Sequence, residues 1–219
     1  MEYIKKLNEI VDNFDAFCKE SDWNLTVDNQ KEGIKFWQKP QVKGVQSIKT
    51  EGFIEATPLD VMKVLCDNGV KQQWDPTFRD FELIERVADQ IYIQYFTFSG
   101  FLIMAPRDLL LVILAKLTED GTYYLSFYSV DRDDLKPKVK EYVRSRIIQS
   151  CWKLEGHPGE NGTPQQRTLV TQMSQFDIGG YIPAFVISHG VKENSNVIAK
   201  LRPIVNQTRT QSSIGKSAN

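Results

Sequence analysis

The 219-residue chain carries 27 Lys and Arg against 28 Asp and Glu, a formal net charge of −1, with 41% hydrophobic residues. That balance suits one large globular domain and excludes a general polyanion binder, because no bulk positive field exists to hold nucleic acid. Three widely spaced cysteines, Cys18, Cys66 and Cys151, make no CxxC pair and read as free thiols of a cytoplasmic protein, and no apolar run approaches the ~20 residues of a membrane helix.

In chain order, residues 1–20 predict a helix, since Ile4, Leu7, Ile10, Val11, Phe14 and Phe17 recur at spacings of three and four. From Trp23 to Ile54 the period changes to two and three strands are expected, through Leu25 and Val27, through GIKFWQK, and through VQSIKTEGFIEA. Thr57-Pro58 opens a second helix, with Thr as N-cap, Pro in the first turn and Asp60 beside the positive helix end. After the short segment VKQQWDPTF come six long strands. FELIERV and QIYIQYFTF flank Ala88-Asp89, DLLLVILAKL and TYYLSFYSV flank Glu119-Asp120-Gly121, and VRSRIIQSCWKLEG and QRTLVTQMSQFDI flank a polar loop. Residues 182–205 predict a final helix, and 207–219 read as a polar disordered tail.

Strands joined by short turns, with helices before, between and after them, imply an α+β fold around one antiparallel sheet, as a single domain over residues 1–206. A sheet of this many long strands twists and curls, so an apolar helix across its mouth would enclose a cavity. Two isolated histidines, His157 and His189, and the lack of GxSxG, P-loop or GxGxxG patterns argue against a metal site, a cofactor and the common catalytic arrangements. One stretch stands out: Phe101, Leu102, Ile103 and Met104 place consecutive large apolar residues where Ser99-Gly100 and Pro106-Arg107-Asp108 signal a loop.

Several motifs, in order from about Glu51 to Ile204, carry a resemblance. They are Leu65 with Gln73-Trp74-Asp75, Phe81-Glu82-Leu83-Ile84-Glu85, Pro106-Arg107-Asp108-Leu109, Ser129-Val130, Tyr142-Val143-Arg144, and Asp177-Ile178-Gly179-Gly180-Tyr181-Ile182-Pro183. In these the chain resembles the steroidogenic-acute-regulatory-related lipid-transfer (START) domain family. The resemblance implies a helix-grip fold, a curved antiparallel sheet wrapped around a long C-terminal helix, with one lipid in the tunnel between them. It also implies that loop 99–106 and that helix form a lid, so that Phe101–Met104 and the helix would touch a membrane surface transiently when the lid opens.

Alternation then sorts the strand faces. With Gln94 and Phe96 inward by the family match, Phe98 shares their face, while Ile91, Ile93 and Tyr95 would pack under the N-terminal helix. Leu109, Leu111 and Ile113 share the inward face of the next strand, and Arg146 and Ile148 that of a later one. Together with Leu102, Ile103 and Met104 of the gate and Phe185 of the final helix, these are the expected lipid-binding residues. Sterol-carrying members place a buried acid and arginine where this chain has Gln94 and Ile113, and choline-binding members an aromatic cage where it has Phe96, Leu109 and Ile148. Both departures favour a phospholipid or fatty-acyl ligand over a sterol, with Gln94, Arg146 and Lys71 as the inward polar groups for its head. The expected function is non-enzymatic lipid transfer by a monomer. The alternatives are a hydrolase- or cyclase-like enzyme on the same fold, or a lipid-sensing module.

Overall fold

The computed structural model describes residues 2–100, 104–159, 166–179, 190 and 193–216, with side chains through 210. The N-terminal segment folds as α1 (Glu2–Asp12) and α2 (Phe14–Cys18), not as one uninterrupted helix. The break falls at Asn13, whose side-chain amide donates to the Glu9 carbonyl at 2.8 Å and so competes with the backbone for it. Strands β1 (Asn24–Asn29), β2 (Ile34–Gln38) and β3 (Gln46–Ile54) follow. Next is α3 (Pro58–Cys66), capped by Thr57, whose hydroxyl oxygen accepts from the Asp60 backbone N–H at 3.2 Å. A single turn, α4 (Lys71–Trp74), precedes β4 (Phe78–Ala88) and β5 (Ile91–Phe98).

The remaining strands are β6 (Arg107–Leu117), β7 (Tyr123–Ser129), the two-residue β8 (Val143–Arg144), β9 (Arg146–Pro158) and β10 (Gln166–Asp177). The β6–β7 hairpin closes at Gly121, whose φ of 84° only glycine adopts without strain. One sheet runs in the order β1-β2-β3-β10-β9-β7-β6-β5-β4, antiparallel throughout, with β8 lying parallel beside β6. It is curved, and its two faces bury different sets of residues.

The convex face packs on α1 and α2: Leu7, Ile10, Val11 and Phe14 meet Ile91, Ile93, Tyr95, Leu110, Val112 and Leu114. This is the pairing that the alternation on β5 predicts. The concave face packs on α3 and the C-terminal helix α5 (Val197–Lys216), bringing Ile54, Leu154 and Val170 against Val61, Leu65, Ile198, Leu201 and Val205.

Helix α5 runs past residue 206 to Lys216. The polar residues there satisfy themselves along the helix: Thr208 and Thr210 donate to the carbonyls of Ile204 and Asn206, and Arg209 reaches the Glu55 carbonyl at 3.0 Å. The expected start of the final helix, with Phe185, and the gate residues Phe101, Leu102 and Ile103 lie outside the described residues.

Candidate functional site

Between the concave face and helices α3 and α4 lies a cavity of about 230 Å³. Alternation builds its floor. Tyr92, Gln94, Phe96 and Phe98 come from β5, Leu109, Leu111, Ile113 and Ala115 from β6, and Leu125 and Phe127 from β7, each on the face opposite the convex core. The other wall is Leu65, Cys66 and Asn68 at the end of α3, with Lys71, Trp74 and Asp75 around α4. Trp74 packs edge-on against Trp152 of β9, ring centres 6.5 Å apart, and ties the helical wall to the sheet.

Six expected ligand contacts therefore share one cavity: Gln94, Phe96, Phe98, Leu109, Leu111 and Ile113. Two do not. Arg146 is about half exposed and its guanidinium meets Asp131 at 2.9 Å on the surface; burial first, and this guanidinium second, lower the pKa of Lys6 of α1. Ile148 is half-buried and absent from the lining, where Ile147 stands instead. The cause is a β-bulge. Gln175 of β10 faces Gln149, but Phe176 faces Ile147, so Ile148 is the residue the register skips. An extra residue inverts the alternation beyond it, which turns Ile147 inward and carries Arg146 out.

The chain is pinched between Gly100 and Met104. A side chain at position 100 would collide with the Met104 carbonyl, so only glycine allows the chain to return this closely. Met104 is half-buried. Behind it, Arg107 and Asp108 point apart, as neighbours on a strand must. Arg107 donates to the carbonyls of Ala105 and Gly179. Asp108 is 1% exposed and accepts from Arg144 at 2.9 Å and from the Tyr95 hydroxyl at 3.0 Å. Burial, then this hydrogen bond, raises the Tyr95 pKa.

Lys71 is the cation of the cavity wall. Its ammonium sits 4.1 Å from the Trp74 ring centre and about 6 Å from those of Phe78 and Phe96. Among the described residues it forms no ion pair. Burial pushes its pKa from 10.5 down to about 8, with Asp75 opposing weakly. Trp74 adds a second uncommitted donor, since its buried Nε1–H has no partner among the described residues. Of the inward polar groups expected from sequence, Lys71 and Gln94 line the cavity and Arg146 does not.

The lysine makes stability pH-dependent. Between about pH 8 and 10.5 the unfolded chain binds more protons at this site than the folded one, so stability rises with pH across that window. Lys71→Met is expected to remove the rise and to stabilise the fold at pH 7 by on the order of 1–2 kcal/mol. Urea unfolding at pH 7 and pH 10 measures both.

The START domain family pattern matches residues 6–209. The chain belongs to the START domain family. Bovine StAR-related lipid transfer protein 5 is 29% identical over 174 residues, covering 77% of this chain and 78% of its own length. Protein ENHANCED DISEASE RESISTANCE 2-like of Arabidopsis thaliana is 28% identical over 171 residues, covering 74% of this chain, which spans only 23% of that protein. The structure of human StAR-related lipid transfer protein 5 superposes with a TM-score of 0.81 over 95% of this chain and 98% of its own, at 20% identity, which establishes the helix-grip fold. Among the described residues, no helix of this START domain is long and apolar enough to cross a membrane, and no group of His, Cys, Asp and Glu is placed to hold a metal.

Proposed function

We propose that this START domain carries one lipid in the cavity, without chemical change, between membranes in the cytoplasm, as a monomer. A phospholipid or fatty-acyl lipid fits the wall better than a sterol. The carrying observation is the combination of a largely apolar floor with polar donors on both sides of the hollow, Lys71 and the Trp74 indole N–H on the helical wall and Gln94 on the strand opposite. Acceptor oxygens of a carboxylate or phosphate would satisfy those donors, the ammonium by a charge-assisted hydrogen bond. A sixteen-carbon chain on the floor contributes roughly 12 kcal/mol before entropy costs, at ~0.8 kcal/mol per CH₂. Loop 99–106 and the C-terminal helix act as the gate and meet the membrane surface, the loop through Phe101–Met104, on the grounds of their sequence and of the pinched neck at Gly100.

An enzymatic reading needs an acid and a base held together at the wall. Asp75 is the carboxylate there, and its Oδ1 is engaged by the Thr77 N–H and hydroxyl at 3.1 and 2.6 Å, which favours carriage.

Mass spectrometry of lipid extracted from the purified chain, with transfer of labelled lipids between vesicles, tests the proposal. The expected result is about one acyl lipid per chain and saturable transfer of intact lipid. Leu111→Trp fills the floor and is expected to cut lipid occupancy at least fivefold, with overpacking costing on the order of 1–3 kcal/mol in stability. Unchanged occupancy in that variant, or a chemically altered lipid, would count against carriage.

A further inference from the structure

Lys71 has the surroundings of a reactive amine as well as of an anion partner. Its Nζ sits against the Trp74 indole and is ringed more loosely by Phe78 and Phe96, and it is paired with no carboxylate among the described residues. Asp75, the one charged neighbour acting on it, shares the wall but spends one oxygen on Thr77. The strand residues across the cavity, Tyr92, Gln94 and Phe96, bring no charge to it. Lys71 is also the only amine among the described residues of the lining; the Cys66 thiol shares the wall, its pKa raised by burial, and cannot form an imine.

We propose that Lys71 captures apolar aldehydes, long-chain fatty aldehydes in the first instance, as a reversible imine inside the tunnel. The proposal rests on the carrier reading in that the aldehyde's chain would lie on the same apolar floor. The uncharged Nζ adds its lone pair to the carbonyl carbon, forming the C–N bond while the π pair moves to oxygen. Both amine hydrogens finish in the water that leaves, so aldehyde and amine give imine and water with no oxidant or reductant. Desolvation of the lysine, which holds its pKa near 8, keeps a useful fraction of the amine uncharged at neutral pH. The buried Trp74 Nε1–H, lacking an acceptor, is available to a carbonyl oxygen at this wall. A mostly apolar cavity also disfavours retention of the water released.

The experiment uses the full chain, hexadecanal as probe and cyanoborohydride to fix the imine as a secondary amine. Intact mass and peptide mapping are the readouts. A single hexadecyl group per chain on Lys71 is expected, forming at least tenfold faster than on any other lysine, with a rate that rises as pH passes through about 8. Lys71→Met and Lys71→Arg are each expected to lose the fast adduct; the arginine variant keeps the charge if the methionine variant misfolds. Equal labelling spread over many lysines, unchanged by either substitution, overturns the proposal. A parallel titration of the unmodified chain with a fluorescent acyl lipid that has no aldehyde separates the two readings. Binding of that lipid without the Lys71 adduct sinks imine capture and spares the carrier, whereas absence of both sinks both.

Discussion

Arg144→Met is expected to destabilise the fold by about 3–5 kcal/mol, because it strands a buried carboxylate. Asp108 is 1% exposed, and its only ion-pair partner within 4 Å among the described residues is Arg144, itself 14% exposed at the side chain. Without the guanidinium the carboxylate keeps the Tyr95 hydroxyl, one neutral donor for a full charge. The damage should also reach the start of β6. The Asp108 carbonyl accepts from Ser145 N–H and the Pro106 carbonyl from Val143 N–H, so the segment that Arg144 anchors pairs with the strand leading out of the loop. Urea unfolding of Arg144→Met, Asp108→Asn and the double variant measures the coupling, and the double variant is expected to cost clearly less than the two singles together. A loss under 1 kcal/mol in Arg144→Met would show that the pair is screened and that something else holds the strand.

The second large effect separates a packed leucine from one bordering a hollow. Leu201 of α5 is fully buried between the concave sheet and the helices, and Leu201→Ala is expected to cost about 3–5 kcal/mol as it opens a new void. Leu111 is also buried, at 6% exposure, but one side of it borders the cavity, so it has fewer packing atoms to lose. Leu111→Ala is therefore expected to cost roughly half as much, about 1–3 kcal/mol. Thermal and urea unfolding of the two variants in delipidated protein provide the comparison. Equal losses would mean that the floor under Leu111 is as tightly filled as the helix interface.

Much of this architecture was legible in the chain because it depends on short-range periodicity. The period-two pattern of QIYIQYFTF separates Tyr92, Gln94, Phe96 and Phe98 from Ile91, Ile93 and Tyr95, and the two sets face the cavity and α1 as alternation requires. The same holds for Leu109, Leu111 and Ile113 against Leu110, Val112 and Leu114. The Thr57-Pro58 helix start is equally local. Alternation failed on β9, where Arg146 and Ile148 had to be reassigned. Nothing within IIQSCW announces the bulge, since it is defined by the register against β10, almost thirty residues later in the chain.

What the sequence determined by itself, then, is which residues alternate, where helices start and which loop is apolar, since each follows from neighbours a few positions apart. The tertiary structure alone decided three matters. The sheet's curvature made an apolar face into a hollow, the β9–β10 register chose Ile147 over Ile148 for its wall, and the seating of α4 beside the sheet brought Lys71 to 6.0 Å from the Phe96 ring of β5. Each of these joins residues far apart in the chain, and a lysine's desolvation or a strand's phase depends on atoms that only folding brings near.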